Sequence, residues 1–326
     1  RISAGEDAKA LAMQQGGRVS DVWVTSAVPV ETPKMRSQEA GALTRSSTQA
    51  LLPSRAADNL FWLGRYVERS EQNMRLFRAY FARISDGAEH SDAMPAYLRS
   101  QLMDNVAPAP SAMAKRFVEP LGLGLQSASR ISDRFSPDGM MALRTLVHEM
   151  EMLEYRPVPL DDIPVETSNL LRQITGFAGL VHENMYRSDG WRFLSLGVSL
   201  ERAANMCAVL AACTADDAPV GALDLALEIG DSVVSHRARF LVWANTASII
   251  DILGLDVNNP RSIRYHISRA KDHITHLPQQ QSEYNMTDVA RMVLMAETQL
   301  ATSLTTHITA EFLDQMKQDI WRISDA

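Results

Sequence analysis

Residues 63–69 read LGRYVER within the run LFWLGRYVERSEQNMRL (60–76), and 133 positions later residues 196–202 read LGVSLER. At 100° per residue, Leu60, Leu63, Gly64 and Met74 share Val67's side of a helical wheel, while Phe61, Trp62, Tyr66, Leu76 and Phe77 occupy the rest of the circumference. The second copy behaves alike, with Phe193, Leu196 and Leu200 on one side and Leu194, Val198, Met206 and Val209 on others. A helix that is apolar nearly all round lies inside a bundle rather than on its surface. Both repeats therefore predict core helices that each carry an adjacent Glu and Arg.

An unpaired buried charge costs several kcal/mol, so Glu68, Arg69, Glu201 and Arg202 each need a partner. Neighbouring residues on a helix point about 100° apart and do not close on each other. The economical solution is reciprocal: Glu68 to Arg202 and Glu201 to Arg69, about a pseudo-two-fold axis. Gly64 and Gly197, one turn before each Glu, would let the helices approach closely. The alternative reading is a cleft in which the two carboxylates serve as general acid and base or bind a metal, and the arginines clamp an anion. The structural reading ranks first, and one arrangement could serve both.

Around these helices the chain is patterned for an all-α, multi-helix bundle. LLPSRAADNLFWLGRYVERSEQNMRLFRAYFARISDG places Ser54 to cap a long helix and Gly87 to end it. A less regular stretch with Pro95, Pro108, Pro110 and Pro120 follows, and then helical patterns, some broken internally, near 124–135, 137–154, 166–187, 190–213, 221–254, 260–276 and 285–322. Residues 1–30 differ: RVSDVWVTSAVPV is β-branched and strand-like, giving a short β or irregular remnant. The Ser/Thr-rich residues 31–52 read as a linker into a helical domain from 53 to 326.

With 46% hydrophobic and 22% charged residues, the 326-residue chain has an ordinary globular composition. A net charge of −7 argues against nucleic-acid binding, since there is no cationic excess to displace counterions. No uninterrupted apolar run reaches ~18 residues, so no membrane span is expected. The opening residues lack a signal-peptide core and suggest an excised piece of a longer cytoplasmic protein. Cys207 and Cys213 form neither a redox nor a zinc pattern and read as reduced, buried thiols. Basic residues comprise 27 Arg and five Lys, a bias that either base composition or guanidinium–carboxylate pairing would explain.

Three further clusters hold chemistry-bearing groups. In VHENMYRSDGWRFL, His182 and Trp191 lie at a helix junction just before the second heptad, as a core plug and turn or as a corner of a pocket. In DVNNPRSIRYHISRA, Arg261 and Arg264 stand at a new helix N-terminus, where the dipole disfavours cations unless an anion is present. They are candidate anion ligands, with a salt bridge to another helix as the equal alternative. Arg65 in the first heptad joins them as a candidate anion ligand. His273 and His276 (HITH) could share a metal, but without an acidic partner they read as surface or helix-end residues. No Glu-x-x-His unit supports a di-metal bundle.

The ordered motifs ADNLFWLGRYVERSEQNMRL, RISDRFSPDGM, MYRSDGWRFLSLGVSLERA and LGLDVNNPRSIRYHISRA resemble the Alpha-E family, an all-helical family of unknown biochemical function, from about Leu52 to His276. Val198 and Ala204 depart from its usual arginine and acidic residue in the second heptad. RISAGEDAKALAMQQGGRVSDVWVTS resembles the C-terminal tail of circularly permuted ATP-grasp proteins; Gly16, Gly17, Asp21, Trp23 and Val24 match, and Ser20 replaces a common Lys. The resemblance implies a parent with an upstream ATP-grasp domain that binds Mg-ATP, and possible transglutaminase-like partners. No cofactor or metal is expected in this chain itself. It further implies a helical partner or substrate-presenting module in ATP-dependent peptide or amide bond formation. A rival expectation is an enzyme using Glu68 and Glu201 as acid and base with Arg69 and Arg202 as clamps, and a third is a purely architectural domain.

Overall fold

The computed structural model describes residues 52–134, 136–155, 158–278 and 286–326; the tail assigned to 1–30 and the linker up to 51 lie outside them. Among the described residues there are twelve α-helices and no strand. The organising element is α1 (Ser54–Ser85), which packs against α3 (Pro110–Ser129), α5 (Ile163–Asn184) and above all α6 (Asp189–Cys213). α2 (Ala93–Leu102) and α4 (Pro137–Tyr155) flank this group. On its other side α6 packs against α10 (Ile263–His276) and α12 (Ala310–Asp325), with α11 (Asp288–Thr302) beside α10. Leu60, Leu63, Met74, Phe77, Tyr80 and Phe81 of α1 are buried, and so are Leu200, Cys207 and Leu210 of α6.

α6 is long and apolar enough to cross a membrane by length and composition alone. Here that apolarity is spent on protein neighbours, which fits a core helix carrying Glu201 and Arg202. Cys207 and Cys213 on it are free and buried, and burial pushes the Cys213 thiol up to about 12.

Several local expectations are corrected. Ser54 does not cap α1: it is the first helical residue, after Pro53, and no side chain caps that end. Gly87 does follow the helix, at φ +96°. The proline-rich stretch is largely helical, because Pro95 lies in the first turn of α2 and α3 continues through Pro120. A helix-interior proline orphans the carbonyl four residues back. That carbonyl, on Arg116, accepts instead from Asn73 Nδ2 of α1 at 2.8 Å, and Phe117 O accepts from Ser70 Oγ at 2.8 Å. Tertiary contacts thus repair what the proline removes.

Among the helical patterns, some of them broken internally, the one over 221–254 resolves into three short helices and a π-helical turn: α7 (Ala222–Ile229), α8 (Val233–Arg239), α9 (Thr246–Ile249) and Ile250–Leu255. The first break is at Gly230 and Asp231, the latter at φ +48°. A Cβ on Gly230 would stand 2.6 Å from Leu253 Cδ2. The second break, between α8 and α9, leaves Leu241, Val242 and Trp243 exposed.

Candidate functional site: the Glu-Arg core and its cavity

The two heptads meet where α1 and α6 cross. An ideal Cβ on Gly64 would lie 2.2 Å from Leu194 O, and one on Gly197 would lie 2.1 Å from Phe61 O. Leu194 and Phe61 are equivalent positions of the two copies, so the approach is reciprocal and the helices run alongside each other in the same direction. Each glycine opens the space that its partner's backbone fills.

One turn further on, the charges exchange partners. Arg202 forks Glu68, with Nε donating to Oε1 at 2.6 Å and Nη2 donating to Oε2. Arg69 forks Glu201 in the same way, at 2.6 Å from Nε and 3.1 Å from Nη2. Two-point guanidinium–carboxylate pairing supplies both charge and direction. The side chains of Glu68 and Glu201 are 3% and 5% exposed, so the carboxylates are shut away from water.

The network extends beyond the repeat. Arg65 Nε donates to Glu201 Oε2 at 2.7 Å, and its Nη1 donates to Ser324 Oγ of α12. Glu71, one turn after Glu68, accepts from Arg75 at 2.9 Å, Arg261 at 2.7 Å and Arg202 at 3.3 Å. Arg261 thus has its anion within the protein, a carboxylate from α1. Arg264 stays out of the network: its Nη1 approaches Leu255 O at 3.5 Å and its buried Nε has no partner among the described residues. The five guanidiniums and three carboxylates fall into two clusters: Glu201 with Arg65 and Arg69, and Glu68 and Glu71 with Arg75, Arg202 and Arg261, the second with exposed Asp231 4.0 Å from Arg75.

The carboxylates titrate differently. Burial pushes Glu68 above the usual carboxylate range, opposed by Arg202 and reinforced by the charge of Glu71. Burial acts the same way on Glu71, but Arg202, Arg261 and Arg75 overcome it and hold the group at about 2. Burial disfavours the charged form of Arg202, yet Glu68 and Glu71 outweigh that and raise it.

Against the Arg202 side lies a cavity of about 250 Å³ between α1, α5, α6 and α10. His182 and Trp191 both line it, so the structure brings these two candidates to the same space as Arg202. His182 is exposed and pairs with Glu183 at 3.1 Å. Trp191 is buried edge-on to His273, with ring centroids 5.0 Å apart, under the Arg187 guanidinium at 4.3 Å. His266 and Arg269 also line the cavity. His266 Nε2 donates to Pro260 O at 2.8 Å, which leaves Nδ1 as an acceptor, buried and without a partner among the described residues. Burial and the nearby Arg202 charge push His266 well below its ordinary value, so it is neutral.

His273 is not at the surface: it is buried, and its pKa is pushed down to about 4 by burial and by Arg269. His276 is exposed at the end of α10. Among the described residues no group of three His, Cys, Asp or Glu side chains converges as metal ligands would. Arg75, His266 and Arg269 were missed in the sequence, and Glu71, kept in the first heptad, was given no role. Glu71 and Arg75 carried a signal, an i,i+4 acid–base pair continuing the buried face of the first heptad. His266 and Arg269 carried none, because only packing turns them toward α6.

A family model described as "a predicted alpha-helical domain with a conserved ER motif", named Alpha-E, matches residues 52–326. Uncharacterized proteins of Mycobacterium tuberculosis H37Rv and of Mycobacterium bovis are each 24% identical over 300 residues, covering 79% of this chain and 34% of the relative. The chain thus spans about a third of the length of these relatives. No solved structure matches it.

Proposed function

The chain belongs to the Alpha-E family, and from that premise we propose that it is a helical partner module of an ATP-grasp ligase, holding or presenting substrate during ATP-dependent amide-bond formation. Leu241, Val242 and Trp243 carry this reading: three consecutive apolar residues, 102%, 57% and 94% exposed, form a ready docking edge. The occupant is the ATP-grasp domain expected upstream, where Mg-ATP would be bound. Relatives about three times as long as the matched segment leave room for such a domain. A transglutaminase-like protein is a further partner of the same pathway.

The test is amine-dependent ATP hydrolysis by the full parent protein, with and without residues 53–326, and with Leu241→Ser/Trp243→Ser. Turnover should fall on deletion and on disruption of the apolar edge. Unchanged turnover in both overturns the proposal.

The catalytic alternative draws on one observation. The two carboxylates of the repeat, Glu68 and Glu201, lie in one helix crossing beside Arg202 and Arg69, the acid/base pair and clamps that reading needs, and burial pushes Glu68 above the usual carboxylate range. Against it, both oxygens of Glu68 and both of Glu201 are already occupied by arginine donors. Glu68→Gln and Glu201→Gln variants that fold and leave turnover untouched would remove this alternative.

A further inference from the structure

We propose that the cavity beside Arg202 binds a small apolar carboxylate carrying a neighbouring amide N–H, that is, an N-acylated hydrophobic amino acid or the equivalent C-terminal residue of a peptide. Size is the first support. A cavity of about 150 Å³ admits a benzene ring, and this one, at about 250 Å³, has room for an aryl or branched alkyl side chain and a polar head. Phe177, Val181, Leu194 and Val198 supply apolar walls for that side chain.

The polar wall selects the head. Arg202 satisfies Glu68 and Glu71 through Nε and Nη2, and its Nη1 has no hydrogen bond among the described residues. Arg269 has no carboxylate within 4.0 Å among the described residues, and its guanidinium donates to the Tyr265 hydroxyl at 3.5 Å. Among the described residues no Asp or Glu lines the cavity, and the cluster behind Arg202 sets three guanidiniums against the carboxylates of Glu68 and Glu71, with exposed Asp231 4.0 Å from Arg75. A carboxylate is the complement of these donors.

His266 adds a second requirement. The residue is 4% exposed and neutral, gives its only N–H to Pro260 O, and among the described residues keeps an unpartnered acceptor at Nδ1. A ligand N–H would satisfy that nitrogen and remove the cost of a buried, unpaired polar atom. An ammonium would find no acidic partner here and would face two arginines, so the acylated form is favoured over a free amino acid. The inference rests on the cavity alone and stands or falls separately from the docking proposal.

Calorimetric titration of the 326-residue chain with four probes tests it: N-acetyl-phenylalanine, N-acetyl-phenylalanine amide, phenylalanine and 3-phenylpropionate. N-acetyl-phenylalanine should bind best, with each of the others on the order of tenfold weaker, the discrimination a lost charge-assisted or buried hydrogen bond gives. Arg269→Gln should weaken it by a similar factor. Ala178→Trp, which plugs the exposed rim of the cavity without entering the core, should abolish binding, and Arg291→Gln, on the exposed face of α11, should change nothing. Equal affinity for the acid and its amide, no saturable binding at millimolar probe, or indifference to both Arg269→Gln and Ala178→Trp in variants with native circular dichroism, would each overturn the assignment.

Discussion

The two copies of the heptad make the same central contact and are surrounded differently. Glu201 of the second copy is held by Arg65 and Arg69, both from the first. Among the described residues Glu68 of the first copy is held by Arg202 alone, and Arg202 is shared with Glu71. The positions equivalent to Arg65, Glu71 and Arg75 are Val198, Ala204 and Ala208 in the second copy. A symmetric crossing therefore carries an asymmetric charge network, and nearly all the extra charge comes from α1. The difference teaches that the repeated glycines and Glu-Arg pairs build the helix contact. The unrepeated residues decide which side is closed and which side meets a cavity.

The symmetric part predicts the largest effects. Gly64→Val and Gly197→Val each drive side-chain atoms into a partner carbonyl that an ideal Cβ already approaches at 2.2 and 2.1 Å. Each should cost at least about 3 kcal/mol or prevent folding, since backbone cannot yield as a side-chain tip does. Urea denaturation checks this, and a large inequality between the two variants would break the reciprocal picture.

The asymmetric part predicts that carboxylate substitutions are not equal. Glu71→Gln removes the counter-charge shared by Arg75, Arg202 and Arg261, and breaking buried pairing of this kind costs about 3–5 kcal/mol. Glu201→Gln should cost less, because it leaves one buried guanidinium, Arg65, without its carboxylate, while Arg69, at 38% side-chain exposure, can turn to solvent. Equal losses in the two variants would mean that the copies are balanced energetically despite their different surroundings.

Acid separates the same groups without mutation. Glu71 has a folded pKa of about 2 against an ordinary 4.5. Its contribution is whole above 4.5 and is lost as pH falls toward 2, up to about 3 kcal/mol. His273, at about 4 when folded against 6.5, is also depressed, so its contribution is whole above 6.5 and is lost as pH falls toward 4. Glu68 is raised and works in the opposite sense, so the assignments come from differences between variants. In denaturation series from pH 7 to pH 2, Glu71→Gln should flatten the lower window and His273→Phe the upper one. Retention of both wild-type slopes would sink the assignment.

The smallest effect contrasts the two arginines of the repeat. Arg69→Met should cost about 1 kcal/mol or less, because solvent screens a pair in which one member is over a third exposed. Arg202→Met, at 18% exposure and with two carboxylates depending on it, should cost several times more. Thermal melts of the two variants, compared at one salt concentration, would settle the ratio.

Much of this core was legible in the residues themselves. An apolar circumference interrupted by Glu-Arg, written twice with a glycine one turn earlier, required buried helices, close approach and exchanged ion pairs; the reciprocal forks are in place. The placement of Arg261 was open between a ligand anion and a salt bridge, and the carboxylate of Glu71 occupies it. Where the reading departed from the fold, a distant contact had overridden a local rule. Pro120 should interrupt a helix, and Asn73 of α1 takes up the freed Arg116 carbonyl instead, while Ser70 bonds the neighbouring carbonyl of Phe117.

From residue order alone follow the all-helical class, the burial of α1 and α6, and the pairing across them, because burial makes an unpaired charge too costly to leave. Tertiary structure alone decides that Glu71 gathers three arginines and that His273 is buried. It also decides that His266 and Arg269 of α10 turn toward the cavity beside Arg202. Those outcomes depend on how α10 docks against α6, and helical periodicity carries no information about which face of one helix another will cover.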